Sequence, residues 1–138
     1  MKKIYFLIAS LVILPNFLHA QQPDYKVVFD MSSRDSMSQQ SVVREVELIS
    51  GENPDARLEV VIYVQGITLV TKTNSKHAEA IQALTAKKNV SFKVCAITMK
   101  RNNLTKSDLL PGIQVVPDGI YEIISKQHEG WGYIKVAH

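Results

Sequence analysis

Cys95 is the only cysteine in 138 residues, and a basic pair, Lys100 and Arg101, follows five and six residues later. The thiolate, not the thiol, is the nucleophile, and nearby cations lower a cysteine's pKa from about 8.5 toward neutrality. Cys95 with Lys100 and Arg101 is therefore the first candidate for nucleophilic chemistry. The competing reading is a small hydrophobe packed in the core, the usual fate of a free cysteine. Gln65-Gly66 and Ser32-Ser33 stand after apolar runs, where they could hydrogen-bond into a crevice shared with Cys95; loop capping is the simpler account of both. His77 and His128 have no second ligand at metal spacing, and neither Cys-x-x-Cys nor His-Glu-x-x-His occurs, so no metal or cofactor is expected. No serine and histidine surround Gly66 as a hydrolase triad requires.

These residues need elements to position them. Val90 to Arg101 reads VSFKVCAITMKR, in which Val90, Phe92 and Val94 alternate with Ser91 and Lys93, so the spacing predicts a strand that ends at Cys95. In parallel α/β sheets the carboxyl ends of strands line the crevice where ligands collect. Upstream, Tyr25 to Phe29 is a first strand ended by Asp30, and Val42, Val43, Val46 and Ile49 recur at helical spacing over Ser36 to Ile49. Gly51 and Pro54 are expected to stop that helix. Leu58 to Val64 is nearly all apolar, as in a strand covered on both faces. After a short apolar insert at Ile67 to Val70, Ala78, Ile81 and Leu84 mark a helix over Ser75 to Lys87, with Ser75 as its cap and Asn89 as its close.

Thr105 to Asp108 has the form of a capping box. Ile113 to Val116 is a fourth strand, stopped by Pro117. Asp118 can cap a helix carrying Ile120, Ile123, Ile124 and Gln127 that ends at Gly130, and Trp131 to Val136 is a fifth strand. Trp131 and Tyr133 divide between core and subunit interface. The order β-α-β-α-β-(α)-β-α-β predicts a three-layer α/β/α fold around a mostly parallel five-stranded sheet.

The formal charge of +3 overstates the basic character of the folded part. Lys2 and Lys3 precede an apolar run from Ile4 to Leu14 and a small residue at Ala20, the three parts of a secretory signal peptide. Without residues 1–20, 14 basic side chains face 13 acidic ones, a formal +1. No basic stripe with interleaved aromatics remains, which argues against nucleic-acid binding. The apolar run is too short for a membrane span, which takes about 20 residues. The expectation is a domain over residues 21–138, periplasmic or secreted after cleavage near Ala20. A lone cysteine cannot close an internal disulfide, so the core alone must hold the fold, and Cys95 is left as a buried inert thiol, an intermolecular bridge or a reactive group.

Three segments carry a resemblance. FKVCAITMKRNN, LLPGIQVVPDGIYEIISKQHEGWGYIK and VVIYVQGITLV resemble the DsrE/DsrF-like (YchN-like) family. Its members share a Phe-x-Val-Cys strand, a Val-Pro-x-Gly helix start and a Gly-aromatic-x-Tyr-Ile ending, with Gln65 standing where histidine is frequent. The resemblance spans residues 25–136. It implies a parallel α/β fold, assembly as a trimer or hexamer, and a cysteine, at the position of Cys95, that carries sulfur as a persulfide between a donor and an acceptor protein. The expected function is thus sulfur binding or relay through Cys95, with Gln65, Gly66, Lys100 and Arg101 as binding residues. The alternative is a non-catalytic binding or assembly module in which Cys95 is merely packed. A nucleotide-binding flavodoxin-like role is weakened because no glycine-rich phosphate loop follows the first strand.

Overall fold

The structure, a computed structural model, describes residues 24–137; the expected signal peptide lies outside the described residues. Five strands, β1 (Lys26–Met31), β2 (Arg57–Ile62), β3 (Val90–Cys95), β4 (Gln114–Val116) and β5 (Gly132–Lys135), form one sheet in the order β4-β3-β2-β1-β5, with every pair parallel. The helices are α1 (Ser36–Glu52), α2 (Ala78–Thr85), α3 (Ala96–Arg101) and α4 (Gly119–His128). Short 3-10 turns occupy Val64–Leu69 and Lys106–Asp108, the second closed by the expected capping box of Thr105 and Asp108.

Side chains of alternate strand residues divide between two unlike faces. On one, Phe29, Met31, Leu58, Val60, Ile62 and Phe92 meet Val42, Val43 and Val46 of α1 and Ile81 and Leu84 of α2 in the main core. Each large side chain removed from water there contributes about 2 kcal/mol. On the other, α4 inserts Ile123 against Val28 and Val61, with Tyr63 and Trp131 alongside. That second cluster is small because the same face also carries Asp30, Glu59 and Lys93. Trp131 lies between the cations of Arg57 and Lys126, 5.7 and 5.1 Å from its ring centre.

Helix boundaries depart from the periodicity for local reasons. α1 runs past Ile49 and through Gly51, and stops at Asn53, whose φ of −128° is the extended geometry that Pro54 imposes on its predecessor. α2 begins at Ala78 rather than Ser75, because the Ser75 hydroxyl is taken up accepting the His77 N–H at 3.2 Å in the preceding turn. Asn89 does not close α2: its side-chain amide donates to the Pro54 and Ala56 carbonyls and fastens the start of β2 instead.

Asp118 caps α4 as expected, accepting from the Ile120 N–H at 2.9 Å. The helix closes on Gly130 at φ +81°, with Gly130 N–H bonded to Gln127 O and Trp131 N–H to Lys126 O, the paired bonds of a Schellman ending. Of the apolar residues expected to face inward from α4, only Ile123 does so; Ile120 and Ile124 are exposed. Among the described residues, no helix is long and apolar enough to cross a membrane.

Candidate functional site

Cys95 is both the last residue of β3 and the N-cap of α3, with its side chain free of any capping bond. It is buried, at 5% exposure. What covers it is the start of α4. A Cβ built on Gly119 would lie 3.2 Å from the Cys95 Cβ, 3.3 Å from Val61 Cγ1 and 3.4 Å from the Tyr63 Cβ. Glycine at 119 thus lets the first turn of α4 settle directly on the thiol-bearing strand end.

The turn after β2 reaches the same place. Val64 adopts φ +52°, a left-handed conformation costly for a β-branched residue, and its N–H donates to the Thr98 hydroxyl at 3.0 Å in the first turn of α3. This joins the Gln65-Gly66 turn to the Cys95 strand end. Gln65 is exposed, whereas Gly66 is buried against β1, where a Cβ would stand 2.3 Å from the Met31 carbonyl oxygen. Lys100 and Arg101 are exposed at the opposite end of α3 from Cys95, about 9 Å along its axis. There they complement the negative end of that helix. His77 is half-buried and His128 exposed, and among the described residues no group of three or more His, Cys, Asp or Glu side chains is arranged to hold a metal ion.

Two polar groups on the α4 face escaped the sequence reading. In the first, Lys93 bridges Glu59 at 2.8 Å and Glu122 of α4 at 2.7 Å. Burial pushes the Glu59 carboxyl above its ordinary range, while at Glu122 burial is outweighed by the Lys93 contact and the net shift is downward. Lys93 is itself held above the usual lysine value, since its two carboxylate partners outweigh the burial that opposes them.

The second group gathers at β1 and β5. Asp30, at 4% exposure, accepts the Tyr133 O–H at 2.6 Å and the Lys135 ammonium at 3.2 Å on the same oxygen, Oδ2. Lys135 also donates to the Ser32 hydroxyl at 3.4 Å. The hydrogen bond to Asp30, with burial behind it, pushes the Tyr133 phenol up to about 12. The Tyr63 phenol is raised first by burial and then by Asp30. A charged residue inside an otherwise apolar strand, DYKVVFDM, is the signal that marks Asp30 in the sequence.

The arrangement can present a thiol at a strand end, beneath a helix start, with hydroxyl and ammonium donors further along the same edge. The family model that matches the chain is that of the DsrE/DsrF-like family, over residues 24–136. Among solved structures, a protein of unknown function, MTH1491, from Methanobacterium thermoautotrophicum is similar at 30% identity and a TM-score of 0.75, over 81% of this chain and 99% of that one. The YchN protein of E. coli shares the fold at 14% identity and a TM-score of 0.68, over 80% of this chain and 98% of its own. No curated protein matches the chain. With a family model matched from β1 through β5, the chain belongs to the DsrE/DsrF-like family.

Proposed function

We propose that this protein is an exported homo-oligomer, a trimer or hexamer, that accepts a sulfur atom on Cys95 and passes it to a partner protein. The observation that carries this reading is the position of Cys95, the only thiol in the chain, at the carboxyl end of a central parallel strand with its side chain outside the capping bonds of α3. In the transfer, the Cys95 thiolate attacks the outer sulfur of a persulfide or polysulfide donor, one S–S bond forms as another breaks, and the donor leaves as a thiolate. An acceptor thiolate then attacks the outer sulfur on Cys95 and releases the Cys95 thiolate, so no external oxidant or reductant is consumed. Because the thiol is covered, a donor reaches it when the first turn of α4 lifts. Gln65 and Gly66 border that approach through the Val64–Thr98 contact, and Lys100 and Arg101 meet acidic groups of the partner.

Assembly is supported by the outer side of α4, where Ile120, Tyr121 and Ile124 are exposed, Tyr121 at 70%. Export rests on the sequence of residues 1–20. Burial of Cys95 favours a second reading, a binding or assembly module with a packed thiol. Intact mass spectrometry of the exported protein, purified without reductant and incubated with polysulfide, separates the two. A gain of sulfur mass that dithiothreitol reverses and Cys95→Ser abolishes is expected for the carrier. An unchanged mass, with no alkylation of the folded protein, supports the module.

A further inference from the structure

The basic side chains fall into two sets. Among the described residues, Lys26, Arg44, Arg57, Lys93, Lys126 and Lys135 each reach a carboxylate within 3.5 Å. Of the other eight basic residues after residue 20, seven lie between positions 72 and 106 inclusive, a stretch with a single acidic residue, Glu79. None of those seven has an ion-pair partner among the described residues.

The fold draws four of the seven together. Thr71 bridges Leu109, the Lys72 N–H donates to Asp108 O at 2.9 Å, and the Lys72 ammonium donates to Ser107 O at 2.6 Å, so Lys72 stands beside Lys106. Lys100 and Arg101 end α3, and the chain turns back from them through the bond from Leu104 N–H to Met99 O at 3.0 Å. All four are exposed. Asp108 shares this corner, but its carboxylate accepts the Thr105 N–H at 2.7 Å and the Thr105 hydroxyl at 2.8 Å. Four cations against one carboxylate leave a local +3, on a chain whose residues 21–138 carry a formal +1. Lys87 and Lys88 lie apart, just past the end of α2.

The character of the patch narrows what it can hold. Residues 71–77 and 100–108 contribute no exposed large apolar or aromatic side chain. A lipid surface is entered by such side chains, and bases stack on aromatic ones. What surrounds the cations is polar and exposed: Thr73, Asn102, Asn103 and Thr105. Charged groups among amides and hydroxyls match the carboxylates of a protein surface, where complementary charge steers encounter and fixes orientation. We propose that Lys72, Lys100, Arg101 and Lys106 form a docking surface for the acidic face of a partner protein. Since α3 runs from Cys95 to this patch, a protein seated there lies beside the thiol-bearing strand end. The inference rests on the sulfur-transfer reading for the partner's role, and not for the contact itself.

The test follows backbone amide NMR signals of the full chain during titration with a short peptide of alternating Glu and Ser. Saturable shifts at Lys72, Lys100, Arg101 and Lys106 are expected. They weaken as salt rises from about 0.05 to about 0.2 M, because screening sets in over a Debye length of about 10 Å at 0.1 M. Lys72→Gln with Lys106→Gln weakens binding at least about threefold, as expected for two exposed ion pairs. Lys100→Gln with Arg101→Gln does the same and keeps the test decisive where Lys72→Gln disturbs its turn. Lys87→Gln with Lys88→Gln, which removes equal charge elsewhere, leaves binding unchanged. An equal loss in that last variant, no saturable shift, or tighter binding to phosphatidylcholine–phosphatidylglycerol vesicles or to single-stranded oligothymidylate overturns the proposal. Cys95→Ser separates the two readings. A chain that gains sulfur on Cys95 but does not bind the peptide keeps the carrier role and loses this surface; peptide binding that survives Cys95→Ser, in a chain that never gains sulfur, does the reverse.

Discussion

Gly119 lies against Cys95: the first residue of α4 stands over the last residue of β3, so close that a methyl at 119 would come within 3.2 Å of the cysteine Cβ. α4 is held there by Ile123 and by the 2.7 Å bond from Lys93 to Glu122. Access to the thiol therefore depends on how firmly α4 is seated. Cys95 is expected to react with iodoacetamide far more slowly in the folded protein than in urea, and Lys93→Met is expected to speed the folded-state reaction severalfold at neutral pH. An unchanged rate in Lys93→Met, with amide exchange in α4 accelerated, would show that reagents reach Cys95 by another route.

The same lysine carries a pH-dependent share of stability. Removing it leaves Glu59 and Glu122 facing each other, both largely buried, and breaking such a buried pair costs about 3–5 kcal/mol. Glu122, held below its ordinary range, contributes stability that is present above the unfolded carboxylate pKa, about 4.3, and lost as pH falls through the folded value. Lys93, held above its ordinary range, contributes below about 10.4 and loses that share as pH rises through the folded value. Glu59, pushed up by burial, works against folding at neutral pH. Urea denaturation of Lys93→Met is thus expected to show its full deficit near neutrality, and a smaller one in acid, where both glutamates take up protons. A deficit that is the same at both pH values would mean that Lys93 acts through packing alone.

Much of the scaffold was legible because backbone and burial rules act locally. β3 shows its alternation in Val90, Phe92 and Val94, and α4 announces its ends in Asp118 and Gly130. The parallel order follows from crossover lengths. What stayed hidden depends on register. Asp30 reads as the residue that ends a strand until β5 is seen to place Tyr133 and Lys135 beside it, 103 and 105 residues away. Lys93 looks like the outward position of an alternating strand, yet it is drawn in between Glu59 and Glu122. Lys100 and Arg101 follow Cys95 closely in sequence, but the intervening helix carries them to its far end.

Two glycines should answer the same substitution with opposite signs. At Gly66 an added Cβ would stand 2.3 Å from the Met31 carbonyl oxygen and 3.0 Å from its carbon, both backbone atoms, so the turn after β2 has to move. Gly66→Ala is expected to destabilise by about 1–3 kcal/mol, the usual range for overpacking. Gly51 lies inside α1 with nothing within 4 Å of such a Cβ. Gly51→Ala is expected to stabilise by about 0.5–1 kcal/mol, because alanine loses less conformational freedom in a helix. Urea midpoints at unchanged slope report both values. Equal effects at the two sites would contradict the close approach at Gly66.

Tyr133 reports on the Asp30 corner directly. Its O–H donates to a buried carboxylate at 2.6 Å, and that bond favours the protonated phenol and holds its pKa up to about 12. Ultraviolet titration of phenolate absorbance, taken as the difference between the native chain and Tyr133→Phe, is expected to isolate one late-titrating phenol. In Asp30→Asn the carboxylate charge is gone, and the same difference titration should move back toward about 10. The sign for stability follows: a phenol harder to ionise when folded supports the fold below the unfolded pKa, and that support is lost as pH rises through about 12. An ordinary midpoint for Tyr133 in the native chain would mean that the Tyr133–Asp30 bond does not persist in solution.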